Sequence, residues 1–282
     1  MTMSTGVWGP DGRTAAVSVT FDHLGEASEL QAGELPVDAE IGDHHSVVTD
    51  LPRVLGMLAE RSVRTTFYVE AWNCEHYPEA LHSIVEAGHT LGWHAWWNEP
   101  IYRTTPGELS AIMTKSLAAF DAVGLRLVGA RPPGGLLGPH SLRVFQDSGF
   151  EFLSLAGAAY GLKDGTPMLP YAWQNIDGCY YLAQFSGLRV PAGDWPVGTR
   201  GLLAAHTAYV ERTVAAGGFT SFIFHVPWTD TPERVQVIGE LIDQLTADER
   251  IWFAPSEQIA DWIRQHPEDY PQVEHTDEPP AW

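Results

Sequence analysis

The side chains best suited to chemistry stand at the ends of apolar, strand-like runs. Ala15 to Thr20 is such a run, and it leads into Asp22 and His23, then Leu24 and Gly25. Later runs finish in the same manner at Glu70, His94, Arg131-Pro132-Pro133-Gly134-Gly135 and His225. Apolar strands that deliver polar side chains at their C-terminal ends are how α/β proteins assemble active sites. These tips are therefore read as one site, with Asp22 and His23 at its floor. A carboxylate, an imidazole and a guanidinium gathered in this way suit amide or ester hydrolysis. Asp22 can take a proton from an attacking water, His225 can protonate a leaving amine, and Arg131 can hold Asp22 ionised and oriented.

The elements that must position these tips alternate between strand and helix. Leu51, Val54, Leu55 and Leu58 form one helical stripe, and Arg64 to Trp72 reads as a strand ending near Glu70. Tyr77 to Ala87 is a helix stopped by Gly88, and His89 to Trp97 is a short aromatic strand. Thr105-Pro106-Gly107-Glu108 is a capping box that opens a helix to about Val123. Strand Leu125 to Ala130, helix His140 to Asp147 and strand Phe150 to Ala156 follow. Tyr171 to Trp173 and Tyr180 to Phe185 are expected as strands, with Asp177-Gly178 as turn material between them. Helix Leu202 to Ala216, strand Phe219 to Trp228, a helix after Thr231-Pro232, strand Ile251 to Phe253 and a helix capped by Ser256 complete the pattern. Such alternation predicts a parallel sheet, open or closed into a barrel. Neither an internal repeat nor a linker divides the chain, so one domain is expected, with its core at about 15–265 and a loose acidic tail at 266–282. Gly25 to Gly42 is long for a connection, and loops of that kind usually serve function.

Composition narrows the function. The formal net charge of −20 disfavours nucleic acid and anionic membrane surfaces as partners. Two cysteines, Cys74 and Cys179, make neither a disulfide framework nor a metal pattern. Eleven tryptophans exceed the needs of a core this size and hint at an aromatic-walled pocket, although most serve packing. There is no apolar span of membrane length and no leader-like N-terminus, so a cytoplasmic protein with a small-molecule substrate is expected. Glycine loops for nucleotide phosphates and a Gly-x-Ser-x-Gly elbow are both lacking.

Taken in order, the tips resemble the motifs of the polysaccharide deacetylases, or NodB-homology domain. Thr20-Phe21-Asp22-His23 is similar to the family's first motif, Thr-Phe-Asp-Asp, and Gly88 to Glu99 to its second, where a His-x-x-x-His pair follows a glycine-histidine lead. Arg131 to Gly135 resembles the third, Asp194-Trp195 the fourth and Phe224-His225 the fifth. The ending Trp252-Phe253-Ala254-Pro255, with Ile259-Ala260, resembles the allantoinase-like, small-substrate branch. This resemblance implies a distorted (β/α) barrel with fewer units than the eight of a full barrel. It also implies deacetylase-like hydrolysis of an N-acyl or related amide, with Asp22 as base and His225 as acid.

By the same resemblance, one divalent ion, zinc by expectation, would sit at His23, His94 and Asn98, where the family carries an acid and two histidines. A His-His-Asn set lacks an anionic donor and would hold the ion more weakly. Two other outcomes are open: metal-free acid/base chemistry (cyclisation, ring opening or isomerisation) and a catalytically silent ligand-binding homologue. Glu70, Trp96, Trp97, Asp177 and Trp195 are candidates for the substrate-binding wall. His89 is expected to bond within the fold, whereas His44 and His45 either lie on the surface or overhang the pocket as extra ligands.

Overall fold

The computed structural model describes residues 7–36, 38–138, 141–157, 159–183, 185 and 197–274. Among the described residues, eight strands follow one another as β1 (Ala15–Asp22), β2 (Thr66–Val69), β3 (Thr90–Trp93), β4 (Leu127–Ala130), β5 (Gly161–Lys163), β6 (Thr166–Met168), β7 (Phe219–His225) and β8 (Ile251–Phe253). All except β5 and β6 join one parallel sheet in the order β4-β3-β2-β1-β7, with β8 alongside the first residues of β1. Every residue of β1 and β7 is buried, as in a parallel sheet covered on both faces.

Strand periodicity divides β1 into two sets. Val17, Val19 and Phe21 belong to the main apolar core with Val54, Leu58 and Leu241, and Phe21 stacks on Phe67 at 4.9 Å. Ser18, Thr20 and Asp22 form the alternate set, buried and polar. That second face is the interior of the barrel, and it points toward the site.

Between the edges β4 and β7 the ring is closed by single bridges rather than by a full ladder. Ala130 pairs with Leu153, Leu153 with Met168, Ala156 with Tyr171, and Ile176 with Ile223 of β7. The barrel is therefore distorted along this wall, as the resemblance implies. The expected strand over Phe150 to Ala156 reduces to these isolated pairs. Tyr171 keeps one bridge, but Trp173–Asn175 is a single helical turn and Gly178–Tyr181 a short helix. Asp177 accounts for this departure. Its carboxylate accepts from the backbone N–H of Gly178 at 2.7 Å and of His225 at 2.8 Å, so it caps the short helix and draws the segment to the end of β7. The β5–β6 hairpin was not expected. Its turn carries Asp164-Gly165, both at positive φ, a pair that favours a tight hairpin.

The remaining elements hold close to their expected places, although Ser256 is the first residue of its helix and Pro255, not Ser256, stands at the cap. Thr105 and Glu108 form the capping box and start the helix Pro106–Ala122. The long connection Gly25 to Gly42 is more ordered than its composition suggests, with a helix at Ala27–Ala32, and a π-helical turn at Ser46–Asp50 follows it. The tail is packed as far as Val273: Tyr270 is buried with its ring 5.0 Å from that of Trp8, and Val273 N donates to Leu162 O at 2.8 Å. Among the described residues no helix is long and apolar enough to cross a membrane.

Candidate active site

Strand register sets the floor of the site. Asp22 is the Cα partner of His225 on β7 and of Tyr68 on β2. Paired residues of neighbouring strands project to the same face, so carboxylate and imidazole stand side by side. Arg131 enters from the end of β4 and donates from Nη1 to Asp22 Oδ1 at 2.5 Å and to Thr20 Oγ1 at 2.8 Å. Its Nε and Nη2 donate to Ser154 Oγ at 3.1 and 3.0 Å, and the Tyr68 ring lies 4.0 Å from the guanidinium carbon. The guanidinium is thus fixed on every side, and an ion pair buried this completely needs such added hydrogen bonds. The glycines of Arg131-Pro132-Pro133-Gly134-Gly135 let the chain turn here. Gly135 has φ +67°, and a Cβ on it would collide with the Tyr171 hydroxyl and the Ala156 amide.

Three imidazoles gather above this pair, each anchored through Nδ1. His94 Nδ1 donates to the carbonyl oxygen of Arg131 at 2.7 Å, and His225 Nδ1 donates to Asp177 Oδ1 at 2.7 Å. His23 Nδ1 bonds Glu70 Oε1, while Glu70 Oε2 accepts from Leu24 N at 3.2 Å and Asn73 Nδ2 at 3.4 Å. The His23 ring lies 4.8 Å from that of His94 and 5.1 Å from that of His225. Anchoring at Nδ1 fixes ring orientation and leaves the second nitrogen for the pocket. His23 is held at φ +64°, Ala95 at +69° and Asn98 at +103°. Left-handed backbone at non-glycine residues is costly and collects at functional sites.

Charge separates these rings. Burial, then the neighbouring His23, pushes His225 down to about 3, and the same causes lower His94 well below the usual imidazole range. Burial opposes the charged form of His23 as well, but Glu70, Asp22 and Asp177 outweigh it and raise that ring. Burial raises Asp177, against the lowering effect of the His225 and Gly178 N–H groups.

Among the described residues, His23, Glu70 and His94 each offer a donor atom within 4.8 Å of the others. Two imidazoles with a carboxylate bonded behind one of them make a set that first-row divalent ions accept, so the residues fit such an ion. Glu70, expected in the pocket wall, instead sets its carboxylate against the His23 ring. As folded, both its oxygens are taken by His23, Leu24 and Asn73, so its charge acts through the His23 ring. Asn98 lines the same pocket.

The pocket encloses about 510 Å³ and is lined by Asp22, His23, His94 and His225 at its floor. Asp177 lies behind His225 rather than in the wall. Trp96 and Trp97 are not among the lining residues. The left-handed Ala95 ends β3 early, and Trp96 turns into the core beneath Lys115, whose Nζ lies 3.3 Å from the ring centre. Trp97 is 40% exposed. Trp195, with the rest of the expected fourth motif, lies outside the described residues. His44 does line the pocket, whereas His45 is tied to Asp50 at 2.7 Å away from it. His89 accepts from Thr65 N at 3.2 Å within the fold, and burial pushes it down to about 4. Sequence reading missed Trp228, whose ring lies tilted against that of His225 at 3.9 Å, as well as Thr20 and Ser154, which hold Arg131. The polar alternation of Ser18, Thr20 and Asp22 along an apolar strand was the available signal.

Residues 12–153 match the family model for polysaccharide deacetylase. The chain belongs to the polysaccharide deacetylase family. Within this family, an 87-residue stretch is 32% identical to chitin deacetylase 1 of Saccharomyces cerevisiae, covering 30% of the chain and 29% of that protein. The chain thus spans less than a third of the length of this relative. A polysaccharide-deacetylase-type protein of Mycobacterium smegmatis is 25% identical, with TM-score 0.82 over 96% of each chain. Puue allantoinase shares the fold at 17% identity, with TM-score 0.72 over 92% of this chain and 93% of its own.

Proposed function

We propose that this deacetylase-family chain hydrolyses the C–N bond of an N-acyl or amide group in a small molecule. Asp22 and His225 would move the protons, and a divalent ion, zinc, would be held by His23 and His94 with Glu70 behind them. The observation that carries this reading is the register pairing of Asp22 with His225, each fixed from behind by its own buried partner. Asp22 lines the pocket while Arg131 holds one of its oxygens, which leaves the carboxylate able to accept a proton from water. His225 is neutral at rest, with Asp177 fixing the proton on Nδ1, so Nε2 is a proton acceptor. Its acid role therefore uses the proton that the attacking water releases to Asp22, which passes by way of His225 to the departing amine. When bound, the ion supplies Lewis acidity at the scissile carbonyl. A pocket of about 510 Å³ has the dimensions of a small-ligand site.

One observation favours a second reading. Burial disfavours charge on His23, but Glu70 against its Nδ1 outweighs it and raises the ring, so His23 holds a proton more readily than an ordinary imidazole, which suits metal-free acid/base chemistry on the same residues. Zinc titration by calorimetry on the native chain and on His94→Ala decides between the two. One tight equivalent, lost in the variant, is expected. Absence of stoichiometric binding refutes the metal reading, and full turnover of an amide by Asp22→Asn refutes the hydrolytic assignment itself.

A further inference from the structure

The pocket wall built by the first long connection is as constructed as the floor. Glu26 is buried, and both its oxygens accept from Tyr77 Oη at 2.7 Å. Tyr77 Oη in turn accepts from Gly42 N at 3.1 Å and His44 N at 3.2 Å. Ser46 Oγ accepts from Gly25 N at 2.9 Å and so ties the two ends of the segment together. Held this way, the His44 side chain is only 8% exposed, and both its ring nitrogens are engaged. Nε2 donates to Glu29 Oε1 at 3.3 Å, because a carboxylate can only accept, and Nδ1 bonds Ser46 Oγ at 2.7 Å.

Glu29 and His44 line the cavity, with Glu34 at its exposed rim. Trp173, Leu182, Phe185 and Trp228 supply an aromatic and apolar face to the same cavity. Among the described lining residues there is no lysine or arginine. Arg131 lies beneath the floor and is committed to Asp22. A ligand with an apolar part and a positive charge complements both faces, whereas an anionic ligand meets only repulsion on the acidic side.

We infer that Glu29, positioned by His44, is a specificity-determining residue for a cationic nitrogen. The substrate is then an N-acyl compound that carries a second, protonated amine. This rests on the hydrolase reading for its scissile bond, but recognition is measurable without turnover.

The test is equilibrium binding by calorimetry with three probes that differ at one end: mono-N-acetylated butane diamine, N-butylacetamide and N-acetylaminobutyrate. The cationic probe is expected to bind about tenfold more tightly than the neutral one, with the anionic probe weakest. Added salt should narrow the difference. Glu29→Gln should erase the preference for the cation and leave N-butylacetamide binding unchanged, which also shows that the variant is folded. Equal affinity of the native chain for cationic and neutral probes overturns the inference. So does a cation preference that survives in Glu29→Gln, or no binding of any probe. Cation-selective binding without cleavage leaves recognition standing and removes only the hydrolase assignment.

Discussion

Replacing Arg131 with methionine exposes how the floor of the site is held. The Arg131 and Asp22 side chains are 1% and 4% exposed and meet at 2.5 Å. Unit charges about 4 Å apart attract by roughly 4 kcal/mol at an effective dielectric of about 20. Breaking a buried pair from one side typically costs about 3–5 kcal/mol, because the remaining charge stays desolvated. Arg131→Met should therefore lose about that much stability, although methionine fills much of the volume. Asp22→Asn added to it should recover at least about 2 kcal/mol, since a carboxamide needs no counter-charge. Urea unfolding of the native chain, both single variants and the double variant, followed by tryptophan fluorescence near neutral pH, gives the coupling directly. If the two losses simply add, the guanidinium contributes packing and hydrogen bonds only, and the electrostatic account of the floor is wrong.

Asp177→Asn preserves shape but sets an NH2 donor against N–H groups of Gly178 or His225, which both Asp177 oxygens accept from. The hold on His225 Nδ1 is then lost, and kcat should fall by about two to four orders of magnitude with KM little changed. Steady-state kinetics on a cleaved amide checks this, and a loss confined to KM contradicts it. His206 offers a pH test away from the site. It is fully buried beside Phe222, and burial pushes it down to about 3. Because its folded value lies below its unfolded one, its stabilising contribution is whole above about pH 6.5 and lost as pH falls toward 3. Between about pH 6.5 and pH 5 that loss is roughly 2 kcal/mol, and His206→Phe should show a correspondingly flatter pH dependence in urea unfolding.

Much of the site was legible because strands leave a period in sequence. Asp22, His94, Arg131 and His225 each follow an apolar run, and the sheet gathers their ends without further information. Partner assignment was not legible. Glu70 stands 47 residues from His23, and Asp177 stands 48 from His225. Only the fold says which acid faces which ring. Trp96 misled for a related reason: alternation continues through it in sequence, but the left-handed Ala95 breaks the strand first. The bridges between β4 and β7 are single residue pairs, too short to leave any repeating pattern.

That interrupted wall has a consequence for how the protein fails under heat. Asp22 and His225 are spaced by backbone hydrogen bonds at the centre of the sheet, so their separation lasts as long as the sheet does. The apolar lining at Trp173 and Leu182 hangs on short turns and isolated bridges, which open at lower free-energy cost. On warming, discrimination among ligands should decay before the reactive pair comes apart. Between those two temperatures the site would keep Asp22 beside His225 while choosing among ligands less sharply.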